Sequence, residues 1–111
     1  MKIRIQDYNN IAIVELQGEW DSDSVELFQN TTADIIAAHK AGIVLDMSDL
    51  GFIGSAGLGQ LLHVQDRCNE NNCQLRLAGL NEILTKVLEV TRLANKFECY
   101  AELTEAVKSF A

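Results

Sequence analysis

The chain has 111 residues, room for one domain around a single core, and its hydrophobic fraction of 48% and charged fraction of 23% are ordinary for a folded globular protein. Its formal net charge of −7 argues against nucleic acid, whose phosphates reward clustered Lys and Arg, and against an anionic membrane surface. Partners with a basic or apolar docking face remain. No run approaches the roughly 18–20 apolar residues of a membrane span. The opening MKIRIQDYNN has no signal-peptide core. Proline is absent, and neither a linker composition nor an internal repeat is visible. The expectation is a single cytoplasmic domain over residues 1–111.

Residues 2–6, KIRIQ, alternate polar and apolar as a half-buried strand does. Asn9-Asn10 reads as a turn, and residues 11–16, IAIVEL, as a second strand, so the chain opens with a β-hairpin. Asp21, Ser22 and Asp23 are all N-cap types, and Asp23 with Glu26 fits a capping box. Val25, Phe28, Ile35, Ile36 and His39 follow at helical spacing, predicting a helix over roughly 23–40 with Gly42 just past its end. Residues 43–47, IVLDM, form the short apolar run of a strand buried on both faces of a parallel sheet. A polar loop follows. A second helix then spans about Ser55 to Asn69, with Gly57, Leu61, Val64 and Cys68 as its stripe, widened by Leu58 and Leu62. Residues 73–78 read as a strand. Asn81 caps a third helix whose apolar face is Ile83, Leu84, Val87, Leu88 and Val90. Residues 97–100 make a last short strand, and a terminal helix near 102–110 buries Leu103, Ala106, Val107 and Phe110. Alternating strands and helices imply an α/β fold: a mixed, mostly parallel sheet with an antiparallel edge from the hairpin and about four helices.

The most informative stretch runs from Val44 to Asp66. An apolar strand leads into Asp46, and after the loop Gly54-Ser55-Ala56-Gly57 opens an amphipathic helix. A helix start carries unsatisfied N–H groups and about half a positive charge. Ser55 therefore stands where an anion is welcome and where phosphorylation can supply one. Serine is also a favoured N-cap, the plainer reading of its place. Gly54, Gly57 and Gly59 match neither G-x-G-x-x-G nor a Walker A motif, so they read as close packing of helix on sheet.

Cys68, Cys73 and Cys99 are odd in number, against a disulfide framework. Cys68 and Cys73 are not spaced as a metal pair, and His63 lies about 140° around the helix from Cys68. Buried free thiols are the expectation, with no metal and no cofactor. No nucleophile with its base and no carboxylate pair is recognisable, so enzymatic activity is not expected.

On these residues the chain resembles a STAS domain of the bacterial anti-sigma-factor-antagonist type, over nearly its whole length. Its most specific piece is Val44-Leu-Asp-Met-Ser-Asp-Leu-Gly-Phe-Ile-Gly-Ser-Ala-Gly-Leu-Gly59. That is similar to the family's strand, Asp or Asn, loop, hydrophobic pair, Asp-Ser-Ser/Thr-Gly-Leu-Gly and helix. Gly18-Glu-Trp-Asp21 resembles the family's Gly-Glu-Leu-Asp, and Leu77-Ala-Gly-Leu80 and Glu105-Ala106 also fit. The resemblance implies a STAS fold and a phosphorylation-controlled partner switch. In such a switch the unphosphorylated domain binds a GHKL-type serine kinase, often itself an anti-sigma factor. The kinase phosphorylates the domain and the complex dissociates. A PP2C-type phosphatase resets it. By position the phosphorylated serine is Ser55. Two residues depart from the pattern: Gly54 replaces the family's acidic residue, and Ala56 replaces the second Ser or Thr. A degenerate site of this kind also fits a constitutive interaction subunit, in a stressosome-like scaffold or a lipid-transport ABC complex.

The expected partner-binding set is Trp20, Asp21, Asp46, Gly54, Ser55, Ala56 and Gly57, centred on a loop over 48–55. Asp21 and Asp46 are expected at strand ends on the edge that carries Ser55, where open α/β sheets place their sites. There they either bond their own loops or shape the docking surface. Trp20 either packs beneath the Ser55 loop or projects as an interface anchor.

Overall fold

A computed structural model describes residues 1–110. Its strands are β1 (Lys2–Tyr8), β2 (Ile11–Trp20), β3 (Gly42–Ile53), β4 (Gln74–Ala78) and β5 (Glu98–Tyr100). Its helices are α1 (Val25–Ala37), α2 (Ser55–Glu70), α3 (Glu82–Val90) and α4 (Leu103–Lys108), with short 3-10 turns at Ser22–Ser24 and Ala94–Lys96. The sheet order is β1-β2-β3-β4-β5. β1 is antiparallel to β2, and the remaining neighbours are parallel. This is the α/β arrangement with an N-terminal hairpin that the sequence predicts. The hairpin turns at Asn9, whose φ of 54° is tolerated by an Asn side chain.

The period-2 pattern assigns the two faces. Ala12, Val14 and Leu16 of β2, Ile43, Leu45 and Met47 of β3, and Leu75 and Leu77 of β4 share one core with α1, α2 and α3. Ile11, Val44 and Ala78 face the other way and meet the C-terminal segment through Ala106 and the half-buried Leu103, Val107 and Phe110, with Tyr100 of β5 beside them. The Phe110 ring lies against Gly42 and under the Arg76 guanidinium, 4.0 Å from the ring centroid, which seats the last turn of the chain.

Four expectations are corrected. The strands of the central pair are longer than predicted. β2 runs to Trp20 and β3 to Ile53, so residues 48–53 of the loop expected over 48–55 are strand. Leu50 and Ile53 are buried while Ser48, Asp49, Gly51 and Phe52 face solvent, and register shifts after Glu15 and Gly18 let β2 follow the overshoot. The first helix is shorter than 23–40. His39 takes a left-handed φ of 57° and ends it, and Gly42 begins β3. The capping box of Asp23 and Glu26 does not form. Asp21 caps the 3-10 turn by accepting from Asp23 N, and Ser24 Oγ accepts from the Met1 amine at 3.1 Å. On α3 only Leu84 and Leu88 are fully buried; Ile83 and Val90 face solvent. Asn81 does cap that helix, accepting from Leu84 N at 2.8 Å, and its Nδ2 donates to Leu50 O of the β3 overshoot.

Leu61 is fully buried at the centre of the α2 stripe. Leu61→Ala is expected to cost about 2–5 kcal/mol in chemical denaturation. Lys108→Ala, on the exposed side of α4, should stay within about 0.5 kcal/mol of wild type.

Candidate functional site

Two strand ends and one helix start build the site. Trp20 closes β2 and Ile53 closes β3, paired in register. Gly54 is the single residue between β3 and α2; its N–H donates to Trp20 O at 2.9 Å and its carbonyl accepts from Leu58 N at 3.0 Å. Gly54 is thus the N-cap, with extended φ and ψ, and Ser55 is the first helical residue. The plainer reading of Ser55 as N-cap is therefore corrected: no side-chain bond caps α2. The Ser55 side chain is exposed. The first turns of α1, α3 and α4 each carry a Glu, whereas the first turn of α2 has no acidic residue. The positive end of its dipole is not offset by its own side chains.

Beneath Ser55 lies Trp20, fully buried. Its ring packs on Phe28 of α1 with centroids 4.3 Å apart, tilted by 48°. The indole N–H donates to Gln60 Oε1 at 3.1 Å, and Gln60 Nε2 donates to Val25 O at 2.7 Å. Gln60 therefore ties α2 to both Trp20 and the start of α1. No motif pointed to it; a polar residue one position before the buried Leu61 was the only available signal. A Cβ on Gly57 would lie 2.8 Å from Ile53 Cγ1, 2.9 Å from Trp20 Cγ and 3.0 Å from Trp20 O. The predicted close packing of α2 thus rests on Gly57. It does not rest on Gly59, which is exposed with open space around its Cα.

The expected site residues separate into three groups. Gly54, Ser55, Ala56 and Asp21 lie together at the surface, since the Trp20 carbonyl that precedes Asp21 is bonded to Gly54. Trp20 and Gly57 lie directly beneath them and offer no surface to a partner, which corrects their placement among contact residues. Asp46 is elsewhere. It is seven positions before Ile53, about 20 Å back along the strand. It is buried, and its Oδ1 accepts from Ser48 Oγ at 2.7 Å and Ser48 N at 3.2 Å. It bonds within its own strand rather than in a loop, and it does not lie beside Ser55. Phe52, absent from the expected set, is half exposed, with its ring against Gly54.

Cys68 and Cys73 are buried free thiols, and Cys99, also free, is exposed against expectation. Hydrogen bonding with Cys73, and then burial, pushes the Cys68 thiol well above its ordinary value, while hydrogen bonding with Cys68 holds Cys73 below its own against the opposing effect of burial. Among the described residues no group of three or more His, Cys, Asp and Glu is gathered to hold a metal ion, and no helix is long and apolar enough to cross a membrane.

The family model described as the STAS domain matches residues 2–106. Anti-sigma-F factor antagonist RsfB of Mycobacterium tuberculosis is 19% identical over 105 residues, covering 95% of this chain and 85% of its own. An anti-sigma factor antagonist from Mycobacterium paratuberculosis superposes with a TM-score of 0.88 at 19% identity, over 97% of this chain and 92% of that one. SpoIIAA of Bacillus, an anti-sigma factor antagonist solved unphosphorylated and phosphorylated, is 19% identical in both forms. The unphosphorylated form gives a TM-score of 0.85 over 98% of this chain and 96% of its own. The phosphorylated form gives 0.78 over 99% and 100%. These likenesses fix the fold.

Two glycines of one helix provide a paired test. Gly57→Ala forces a methyl into Trp20 and Ile53 and should destabilise by about 1–3 kcal/mol. Gly59→Ala meets nothing and should be neutral or stabilising by up to about 1 kcal/mol, through the better helix propensity of Ala. Denaturation midpoints of both variants check this.

Proposed function

The chain belongs to the STAS domain family, and from that premise we propose that it is a phosphorylation-controlled partner-switching regulator of the anti-sigma-factor-antagonist kind. Unphosphorylated, it binds a GHKL-type serine kinase that is itself an anti-sigma factor. Phosphorylation of Ser55 releases it, and a PP2C-type phosphatase restores it, all in the cytoplasm and without catalysis by this chain. The observation that carries the reading is Ser55 itself: an exposed hydroxyl on the first residue of a sixteen-residue helix whose first turn has no acidic side chain. A phosphate there adds about −1.5 to −2 charges at pH 7. At a helix start such charge is tolerated, so the fold survives and the effect falls on docking. The docking surface comprises Gly54, Ser55, Ala56 and Asp21, held from below by Trp20 and Gly57. Names of relatives support the same assignment, as antagonists of anti-sigma factors.

A second reading rests on Gly54. The family's acidic residue is missing beside the acceptor, which fits a constitutive interaction subunit, in a stressosome-like scaffold or a lipid-transport ABC complex, that is never phosphorylated. Mass spectrometry of the protein taken from cells separates the two. The switch reading expects a species heavier by one phosphate on Ser55, and its absence under all growth conditions favours the constitutive subunit.

With the cognate kinase in hand, Ser55→Ala should bind constitutively and Ser55→Asp should bind partially. Equal affinity of wild type, Ser55→Ala and phosphorylated protein, measured by calorimetry, would exclude the switch. Charge reversal of Asp21 should weaken that binding more than charge reversal of Glu105 on α4. The opposite ranking in two folded variants would move the docking surface elsewhere.

A further inference from the structure

The two edges of the sheet differ in kind. β5 is three residues long and a poor template for another strand. β1 presents seven residues, and its pairing with β2 runs from Lys2↔Gln17 to Tyr8↔Ile11 without a register shift. Its outer N–H and C=O groups therefore form an unbroken row. Edges are ordinarily blunted by charged side chains, proline, a bulge or a covering element, and of these β1 carries the charges of Lys2, Arg4 and Asp7. β1 has neither proline nor bulge, and every residue of it except Ile3 is exposed.

We propose that β1 is a self-association edge, at which two copies of this chain pair antiparallel about Ile5 and join their sheets into one. Within that register Lys2 stands opposite Tyr8, Ile3 opposite Asp7, Arg4 opposite Gln6, and Ile5 opposite itself. No like charges face each other. The Lys2 ammonium meets the exposed Tyr8 ring. Asp7 is already paired with Lys40 at 3.3 Å. Sliding by two residues one way sets Arg4 against Arg4. Sliding the other way drops Lys2 and Ile3 from the ladder. The side chains thus select a second copy, in a single register.

The flank beside the edge is apolar. Ties at each end hold α1 along β1: Met1 N to Ser24 Oγ at 3.1 Å, and Lys40 to Asp7. Val25 and Gln29 line a cleft with Ala56 and Gln60 of α2. Leu27, about 200° around the helix from Val25, is left on the β1 side. Ile5 is 48% and Leu27 49% exposed, two of the few large apolar side chains so open. A two-fold axis through Ile5, normal to the sheet, brings both Ile5 side chains together and sets the two α1 helices side by side, covering Leu27. The ends carrying Ser55 then point in opposite directions, so both docking surfaces stay free.

Sedimentation velocity of the full chain from roughly micromolar to millimolar concentration, in about 0.15 M salt to screen the net negative charge, tests this. The weight-average mass should climb toward a dimer. Over the same range, the alternate β1 amides that do not bond β2 should gain protection from hydrogen exchange. Ile5→Lys sets two ammonium groups on the axis and should weaken association at least about tenfold. Ile5 is exposed, so the denaturation midpoint should stay at wild type, which separates lost pairing from lost folding. A chain monomeric to millimolar concentration overturns the proposal. So does a dimer that survives Ile5→Lys, or one whose new protection falls outside β1. None of these outcomes bears on the role of Ser55.

Discussion

The approach of the first turn of α2 to the Trp20 indole is the contact on which the rest of the molecule depends. Four elements converge on that ring. It terminates β2, it stacks on Phe28 of α1, its N–H is satisfied by Gln60 of α2, and Ile53 at the end of β3 borders the same Gly57. An indole buried without a partner for its N–H would cost about 1–3 kcal/mol, so Gln60 is part of the packing as much as Phe28 is. The absence of a Cβ at Gly57 allows all of this, because a helix carrying any side chain there would stand off the strand ends. Standing off, it would break the bond from Gly54 N to Trp20 O that fixes where the helix begins.

Much of this frame was legible because it rests on local chemistry. The hairpin is written in the alternation of residues 2–6 and in Asn9-Asn10, the α3 start in Asn81, and the α2 core in the spacing of Leu61, Val64 and Cys68. What was not legible depends on partners distant in sequence. Ser48, Asp49 and Gly51 are turn-type residues, and nothing local says that β2 extends far enough to pair with Asp49, Leu50, Phe52 and Ile53, skipping Ser48 and Gly51 at its two register shifts. Once β3 is known to overshoot, Asp46 moves from the end of a strand to its middle, and its expected place beside Ser55 is lost. Trp20 follows the same logic: its neighbours in sequence are polar, but its neighbours in space are Phe28, Ile53 and Gly57. Ile83 and Val90 failed for a different reason. α3 has only nine residues and buries only Leu84 and Leu88 fully, so less of its circumference is covered than its apolar pattern suggests.

The two faces of the sheet are unequally clothed. Three helices share one core, whereas among the described residues the other face carries a single six-residue helix, α4, seated by Phe110 against Gly42 and Arg76. Arg76 Nε is 3.2 Å from Glu98 Oε2, close enough for an ion pair yet not aligned as a hydrogen bond, so its main partners are Gln74 and the Phe110 ring. These contacts lie on β4 and the N-terminal end of β3, while Ser55 follows the opposite end of β3. Stability of the terminal helix and exposure of the serine are therefore separable properties of the fold.

Gly54 is the whole of the connection between β3 and α2. A link of one residue, bonded through its own N–H to Trp20, has no slack to take up. A longer loop at this position would let a modified residue swing away or fold back, turning a chemical change into a local rearrangement. Here strand end and helix start move as one body. Under the proposed switch, a phosphate on Ser55 would be held out at a constant height and angle, and an approaching surface would meet a change of potential on an unchanged shape. Recognition at such a point would be closer to lock and key than to induced fit, and any adjustment that docking requires would have to come from the other molecule.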